Sequence, residues 1–256
     1  MTVELAYDAF GERGAPVVIL HGLLGSARNW TSIARELAGR HRVFPLDLRN
    51  HGRSPWADTM SFDEMAGDVA AFIERHELRP AAVVGHSLGG KVAMRLALVR
   101  PSLVERLVVV DVAPVAYGHS FAPFVEAMQS VDLAAVRQRA DADAQLARTI
   151  GDTAIRNFLL QNLIRTDGGY AWRLNLDALA ANMPELLGFP DPGDAVYRGP
   201  TLFVSGGRSP YVKPEHRPLI ERLFPAAEHA VIEGAGHWLH AERPTEFLEA
   251  LRPFLS

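Results

Sequence analysis

The chain has 256 residues, of which 48% are hydrophobic and 22% are charged, and its formal net charge is −4. A chain of this length and composition can bury a sizeable core, and its slight acidity gives no reason to expect nucleic acid or an anionic membrane as a partner. Cysteine is absent, which excludes disulfide bonds, thiolate catalysis and cysteine zinc sites.

The N-terminal segment does not look like a targeting signal. Residues 1–16, MTVELAYDAFGERGAP, contain acidic side chains and no apolar stretch of the length found in secretory signal peptides. Apolar runs long enough to span a membrane, roughly 18 residues, do not occur elsewhere in the sequence. We therefore expect a cytoplasmic protein that has no membrane partner.

Short apolar runs bounded by turn residues recur along the chain. They are continuous rather than alternating, as expected for strands that are buried on both faces of a parallel sheet. These predicted strands cover residues 17–20, 43–46, 82–84, 107–110, 201–204 and 230–232. Helical patterns cover residues 30–37, 65–76, 91–99 and 245–255. This alternation predicts an α/β fold with a mostly parallel, doubly wound sheet.

The alternation is interrupted once, after the strand pattern that ends at Asp111. Between residues 112 and 198 no strand pattern is convincing, and the helix-like stretches are 121–130, 133–149, 154–163 and 174–187. The segment GFPDPGDAVYRGP, residues 188–200, then leads back to a strand pattern. We predict a helical cap at 112–198 that lies over the strand ends of a core formed by 1–111 and 199–256.

The segment GHSLGGK, residues 85–91, satisfies two motifs, and both require a strand before them and a helix after them. In a phosphate-binding G-x-x-x-x-G-K loop, the next residue supplies a hydroxyl to Mg²⁺, but here it is Val92. The G-x-S-x-G motif fits at every position, because Gly85 and Gly89 allow strand and helix to approach closely around Ser87. We predict that Ser87 is a nucleophile; the alternative is a serine that only caps the helix.

A nucleophilic serine needs a base, and the expected order along this kind of sheet is serine, acid, histidine. Of the ten histidines, His237 lies in the glycine-rich segment GAGHW between the last strand and the last helix. That position places it at the carboxyl edge of the sheet, where ligands bind in open α/β folds. His240 completes a His-x-x-His pair without a third ligand, so we expect no metal, and nothing implies a cofactor.

Four blocks of sequence resemble the α/β-hydrolase superfamily: HGLLGS (21–26), DLRNHGRS (47–54), GHSLGGK (85–91) and GAGHW (234–238). The second block, the lysine of the third and the segment WRLNLDAL (172–179) are similar to a narrower group, the YbfF-type esterases of bacteria and their mitochondrial abhydrolase relatives. The resemblance implies an α/β-hydrolase fold and serine-dependent hydrolysis of short acyl esters or thioesters, with a small-molecule substrate.

The sequence departs from the superfamily pattern at the acid. Many members have aspartate in G-x-x-D-P after the penultimate strand, where this chain has GGRSP, residues 206–210, with Ser209 in that place. Asp111 ends the strand expected beside the strand of Ser87, and we predict that it orients His237. Asp177, in the cap, is the alternative acid. Asp47 is expected to anchor its own loop.

The oxyanion hole requires two backbone N–H donors. One is predicted at Leu88, the residue after the nucleophile, and the resemblance of HGLLGS to the family's HG-x motif places the other at Leu23. Aromatic side chains at Phe121, Phe124 and Trp238 are candidates for an acyl site or for ordinary packing.

The predicted reaction is attack of Ser87 on an ester carbonyl, an acyl-enzyme, and its hydrolysis by water that His237 activates. The same fold also supports C–C hydrolases, lyases and perhydrolase side activity, and a binding protein with slow turnover is a further alternative. An acyl-enzyme formed from a simple ester separates the esterase from a lyase that uses the serine as a base.

Overall fold

The computed structural model describes residues 1–118 and 120–256, and these residues form eight strands. In chain order the strands are β1 (Pro16–Leu20), β2 (Arg42–Leu46), β3 (Ala81–His86), β4 (Val104–Val110), β5 (Leu163–Thr166), β6 (Gly169–Trp172), β7 (Thr201–Gly206) and β8 (Ala227–Ile232). Six of them make one sheet in the order β2-β1-β3-β4-β7-β8, and each neighbouring pair is parallel. The six predicted strands and the doubly wound α/β fold class are confirmed.

Ten α-helices occur in the described part of the chain, and none is long and apolar enough to cross a membrane. They are α1 (Thr31–Leu37), α2 (Phe62–Arg75), α3 (Leu88–Val99), α4 (Ala122–Gln129), α5 (Arg139–Leu146), α6 (Thr153–Leu160), α7 (Leu176–Leu187), α8 (Arg217–Leu223), α9 (Leu239–Glu242) and α10 (Pro244–Leu255). The eight predicted helical patterns coincide with α1–α7 and α10; the short helices α8 and α9 were not predicted.

The sheet is buried on both faces because successive side chains of each strand point in opposite directions. In β1, Val18 and Leu20 pack into the apolar cluster that contains α2 and α3. Val17 and Ile19 pack into the second cluster, which contains α1 and α10. This two-sided burial explains why the strand sequences are continuously apolar.

Four helices, α4 to α7, lie between β4 and β7, as the sequence predicts. The expectation that residues 112–198 contain no strand was wrong, because β5 and β6 pair as an antiparallel hairpin around Asp167 and Gly168. The segment docks on the rest of the chain through asparagine side chains: Asn162 Nδ2 donates to Leu24 O at 2.9 Å, and Asn182 Nδ2 donates to Asp58 O at 2.9 Å. Its division from the core at 111/112 and 198/199 stays a prediction.

Candidate active site

Ser87 lies at the sharp turn between β3 and α3. Its backbone has φ 51° and ψ −116°, a left-handed conformation that costs free energy in a residue with a Cβ. A Cβ at Gly85 would collide with the carbonyl of Gly89, and one at Gly89 would lie 2.5 Å from the carbonyl oxygen of Leu20. Glycine at both positions therefore lets the helix begin directly against the strands, and Ser87 is 8% exposed.

Asp111 follows β4, which pairs with the strand of Ser87 through His86 and Val110. Its backbone is also left-handed, with φ 52°, and its N–H donates to Val204 O at 2.8 Å. The side chain is fully buried. Ser87 and Asp111 therefore project from neighbouring strand ends, as predicted.

His237 lies on the loop between β8 and α9, and its side chain is 12% exposed. The loop is anchored to the end of β3, since His86 Nε2 donates a hydrogen bond to the carbonyl oxygen of His237 at 2.8 Å. His237 Nδ1 donates to Asp111 Oδ2 at 2.7 Å. This bond leaves the lone pair of Nε2 available as a base, which is the tautomer that proton abstraction requires.

Ser209 is a part of this arrangement that the sequence did not reveal. Its hydroxyl donates to Asp111 Oδ2, the same oxygen that His237 contacts, and the Gly206 N–H donates to Asp111 Oδ1 at 3.0 Å. Both carboxylate oxygens thus receive hydrogen bonds, which fixes the orientation of the Asp111 side chain. The signal that could have indicated this role is the place of Ser209 in GGRSP, where the superfamily pattern G-x-x-D-P has aspartate.

Tyr211 holds the imidazole from one side. Its ring stacks on that of His237 with a centroid distance of 4.0 Å and an interplanar angle of 15°. Burial raises the pKa of Tyr211 to about 12, so the phenol stays neutral beside Asp111. The stack restricts rotation of the His237 ring.

The other two carboxylates considered from the sequence lie elsewhere. Asp177 is exposed in the first turn of α7 and accepts a hydrogen bond from Gln129 Nε2 at 2.7 Å. Asp47 is buried and accepts from Ala27 N at 2.7 Å and from Arg53 N at 3.0 Å. Of the three carboxylates, Asp111 is the one hydrogen-bonded to His237, whereas Asp47 anchors its own loop.

The predicted oxyanion-hole residues border Ser87. Leu88 is the first residue of α3, and first-turn N–H groups have no acceptor within their own helix. Leu23 lies in the loop after β1, which is held rigid because the next N–H, that of Leu24, donates to His51 Nε2 at 3.2 Å. Burial and the adjacent His21 lower the pKa of His51 to about 3, so this ring remains a neutral acceptor.

Two cavities meet at Ser87. The histidine-side cavity, of about 20 Å³, is lined by residues that include Asn29, Phe158, His237 and Trp238. The lysine-side cavity, of about 30 Å³, is lined by residues that include Leu88, Lys91, Leu186 and Leu187. Leu23, Ser87 and Phe121 line both. Phe124 packs on Phe121, with ring centroids 5.9 Å apart. In the described part of the chain, Phe124 does not line either cavity.

The histidine-side cavity continues outward. Asn29, Phe158 and Trp238 also line a cleft of about 550 Å³ whose further lining includes Arg28 and Gln161. The lysine-side cavity is instead bounded by apolar side chains and by the end of α7. One side of Ser87 therefore opens into a wide cleft, and the other faces a small space with a mostly apolar lining.

His240 is a structural residue rather than a metal ligand. Its ring stacks on Trp30 with a centroid distance of 4.2 Å, and its Nδ1 is buried without a hydrogen-bond partner among the described residues. Burial, and secondly the charge of His237, lower its pKa to about 3. Within residues 1–118 and 120–256, no group of three or more His, Cys, Asp or Glu side chains could hold a metal ion.

We expect a His240→Phe variant to be less sensitive to acid than the wild type. Folded His240 binds a proton only near pH 3, whereas an unfolded histidine binds one near ~6.5, so the unfolded chain takes up this proton first as the pH falls. Lowering the pH from 7 to 5 should therefore decrease the free energy of unfolding by about 2 kcal/mol through this residue. Phenylalanine keeps a ring against Trp30 and removes that contribution. Urea unfolding of both proteins at pH 7 and pH 5 measures this contribution of His240. Equal decreases in the free energy of unfolding of wild type and variant would contradict the lowered pKa of His240.

Residues 15–244 match the family model of the alpha/beta hydrolase fold. A solved structure described as a marine microorganism esterase superposes with a TM-score of 0.95 at 39% sequence identity, covering 98% of this chain and 99% of that one.

Two curated relatives are similar over nearly their whole length. The sn-1-specific diacylglycerol lipase ABHD11 of Mus musculus is 43% identical, over 99% of this chain and 86% of its own. Esterase YbfF of Escherichia coli (strain K12) is 34% identical, over 94% of this chain and 93% of its own.

Proposed function

Since the chain belongs to the alpha/beta hydrolase fold family and is a carboxylic ester hydrolase, we propose that it cleaves short-chain acyl esters through an acyl-enzyme on Ser87. The observation that carries the proposal is the hydrogen bond of 2.7 Å between Asp111 and His237, at the same sheet edge as a serine held in a strained turn. Strained backbone at such a turn exposes the hydroxyl above the sheet.

In the proposed mechanism, His237 Nε2 takes the proton from Ser87 as its oxygen attacks the ester carbonyl. The negative charge that forms on the carbonyl oxygen is stabilised by the N–H groups of Leu23 and Leu88. Asp111 holds the tautomer of His237 and stabilises its positive charge. His237 then protonates the departing alcohol, and water that it activates releases the acid from Ser87.

The two cavities support an assignment of the two halves of the substrate. The leaving group must lie on the side of His237, because that residue protonates it, and this side opens into the wide cleft. The acyl group then occupies the lysine-side cavity, which the oxyanion donors of Leu23 and Leu88 border. A small, mostly apolar space favours short acyl chains, while the alcohol can be large. Thioesters of the same acyl groups meet the same requirements.

The proposal is tested with p-nitrophenyl esters from acetyl to decanoyl. We expect kcat/KM to be highest for short chains and to fall once the acyl chain exceeds the lysine-side cavity. Inactivity toward the whole series would contradict the proposal. A rise that continues to decanoyl would contradict the assignment of the acyl group to that cavity.

A further inference from the structure

We infer that Lys91 determines the acyl-chain length that the enzyme accepts, by tying the end of α7 to the helix that carries Ser87. This inference rests on the proposed function and assigns a positioning role, since Lys91 acts through the wall of the acyl cavity. The residue lies one helical turn after Ser87, and its N–H donates to Ser87 O at 3.1 Å.

Lys91 is buried, with 3% of its surface exposed, and its ammonium points at the end of α7. Nζ donates to Leu187 O at 3.0 Å and to Gly188 O at 2.5 Å. These carbonyls terminate α7, where the helix dipole is negative and the last carbonyls lack partners within the helix. In the part of the chain that the structure describes, the counter-charge of Lys91 is therefore a helix end rather than a carboxylate.

The same ammonium also contacts the first part of the predicted cap. Nζ lies 4.9 Å from the ring centroid of Tyr117. Tyr117 N donates to Leu187 O at 3.0 Å, and its hydroxyl donates to Tyr211 O at 2.8 Å. Lys91 thus joins the two ends of the predicted cap, and through Tyr117 this junction reaches the loop whose Tyr211 ring stacks on His237.

Packing alone does not account for a lysine at this position. Burial lowers the pKa of Lys91 to about 7, which means that the surroundings disfavour the charged form. An apolar side chain of similar length would fill the space without that cost. A methionine, however, could not donate hydrogen bonds to the carbonyl groups that end α7.

The consequence for substrates follows from the cavity wall. Leu186 and Leu187 line the lysine-side cavity together with Ser87 and Lys91. The bond from Lys91 holds these two leucines against the nucleophile helix and so fixes the depth of the acyl space. Without it, the end of α7 is free to withdraw, and the cavity lengthens for longer acyl chains.

The test compares Lys91→Met with Arg95→Met on p-nitrophenyl esters from acetyl to decanoyl. Arg95 is the matched control, because it is a cation on the same helix whose partner is Asp63 on the surface. In Lys91→Met, we expect the preferred acyl chain to lengthen by about two methylenes, each changing relative kcat/KM roughly fourfold. The change should appear mainly in KM, and Arg95→Met should keep the wild-type profile.

A folded Lys91→Met protein with the wild-type chain-length profile would overturn the inference. If that variant does not fold, Lys91→Gln is measured in the same way, with a smaller lengthening expected in the same direction and an unchanged profile again overturning it. Failure of the proposed function is distinguishable, because ester hydrolysis would then persist in Ser87→Ala whatever residue stands at 91.

Discussion

Replacing Ser87 by alanine is expected to lower kcat for p-nitrophenyl ester hydrolysis by on the order of 10⁴-fold or more. Alanine removes the oxygen that attacks the carbonyl, while the oxyanion donors and both cavities remain. KM should change little, because the binding surfaces are intact, so the loss belongs to the chemical steps. Steady-state kinetics of purified wild type and variant measure both constants.

The matched control is Ser32→Ala, an exposed serine on α1 that should retain wild-type rates. Thermal unfolding of both variants checks that the loss of rate in Ser87→Ala does not reflect loss of fold. Equal rates in Ser87→Ala and wild type would mean that Ser87 is not the nucleophile, and the proposed mechanism would be wrong at its first step.

Replacing Asp111 by asparagine is expected to reduce kcat by roughly 10³- to 10⁴-fold. Asparagine has nearly the same shape, but it carries no negative charge to stabilise protonated His237, and its amide can hold the wrong tautomer of the ring. The fold should survive, because the amide oxygen can still accept the hydrogen bond that Gly206 N donates to Asp111 Oδ1, at 3.0 Å, in the wild type. The same steady-state assay measures the loss.

Replacing Asp177 by asparagine is expected to leave kcat almost unchanged. Its carboxylate is exposed and bound to Gln129, so kcat should remain within about twofold of wild type. A large loss in Asp177→Asn together with near-full activity in Asp111→Asn would exchange the roles of the two residues.

A further check is the double variant Asp111→Ser with Ser209→Asp. Since the Ser209 hydroxyl already contacts Asp111 Oδ2, a carboxylate at 209 should reach His237 and restore at least about tenfold over Asp111→Asn.

Much of the fold could be predicted from the sequence, because its physical signals are local. Continuous apolar runs such as 17–20 identify strands buried on two faces, and the four sequence blocks identify the family correctly. The hairpin of β5 and β6 was missed because its strands are short and half exposed, although Asp167-Gly168 is a common hairpin turn. The short helices α8 and α9 likewise carry too few residues for a periodic pattern.

The residues of the candidate site were likewise only partly predictable from the sequence. Ser87, Asp111 and His237 were predicted from motif, chain order and strand adjacency, which can be read from the sequence. Ser209 and Tyr211 were not, because a hydroxyl on Asp111 and a ring on His237 arise from the meeting of β4, β7 and β8. The burial of Lys91 also depends on packing between distant segments, since its acceptors are Leu187 and Gly188. A sequence pattern shows none of these long-range contacts.

The most direct test of the central claim is to react the wild-type protein with a fluorophosphonate and locate the adduct by peptide mass spectrometry. Such reagents bond covalently to serines that an adjacent base activates. We predict one phosphonylated peptide, with the adduct on Ser87, loss of esterase activity in proportion to labelling, and no adduct in Ser87→Ala. An adduct on a different residue, or full esterase activity in completely labelled protein, would contradict an acyl-enzyme on Ser87.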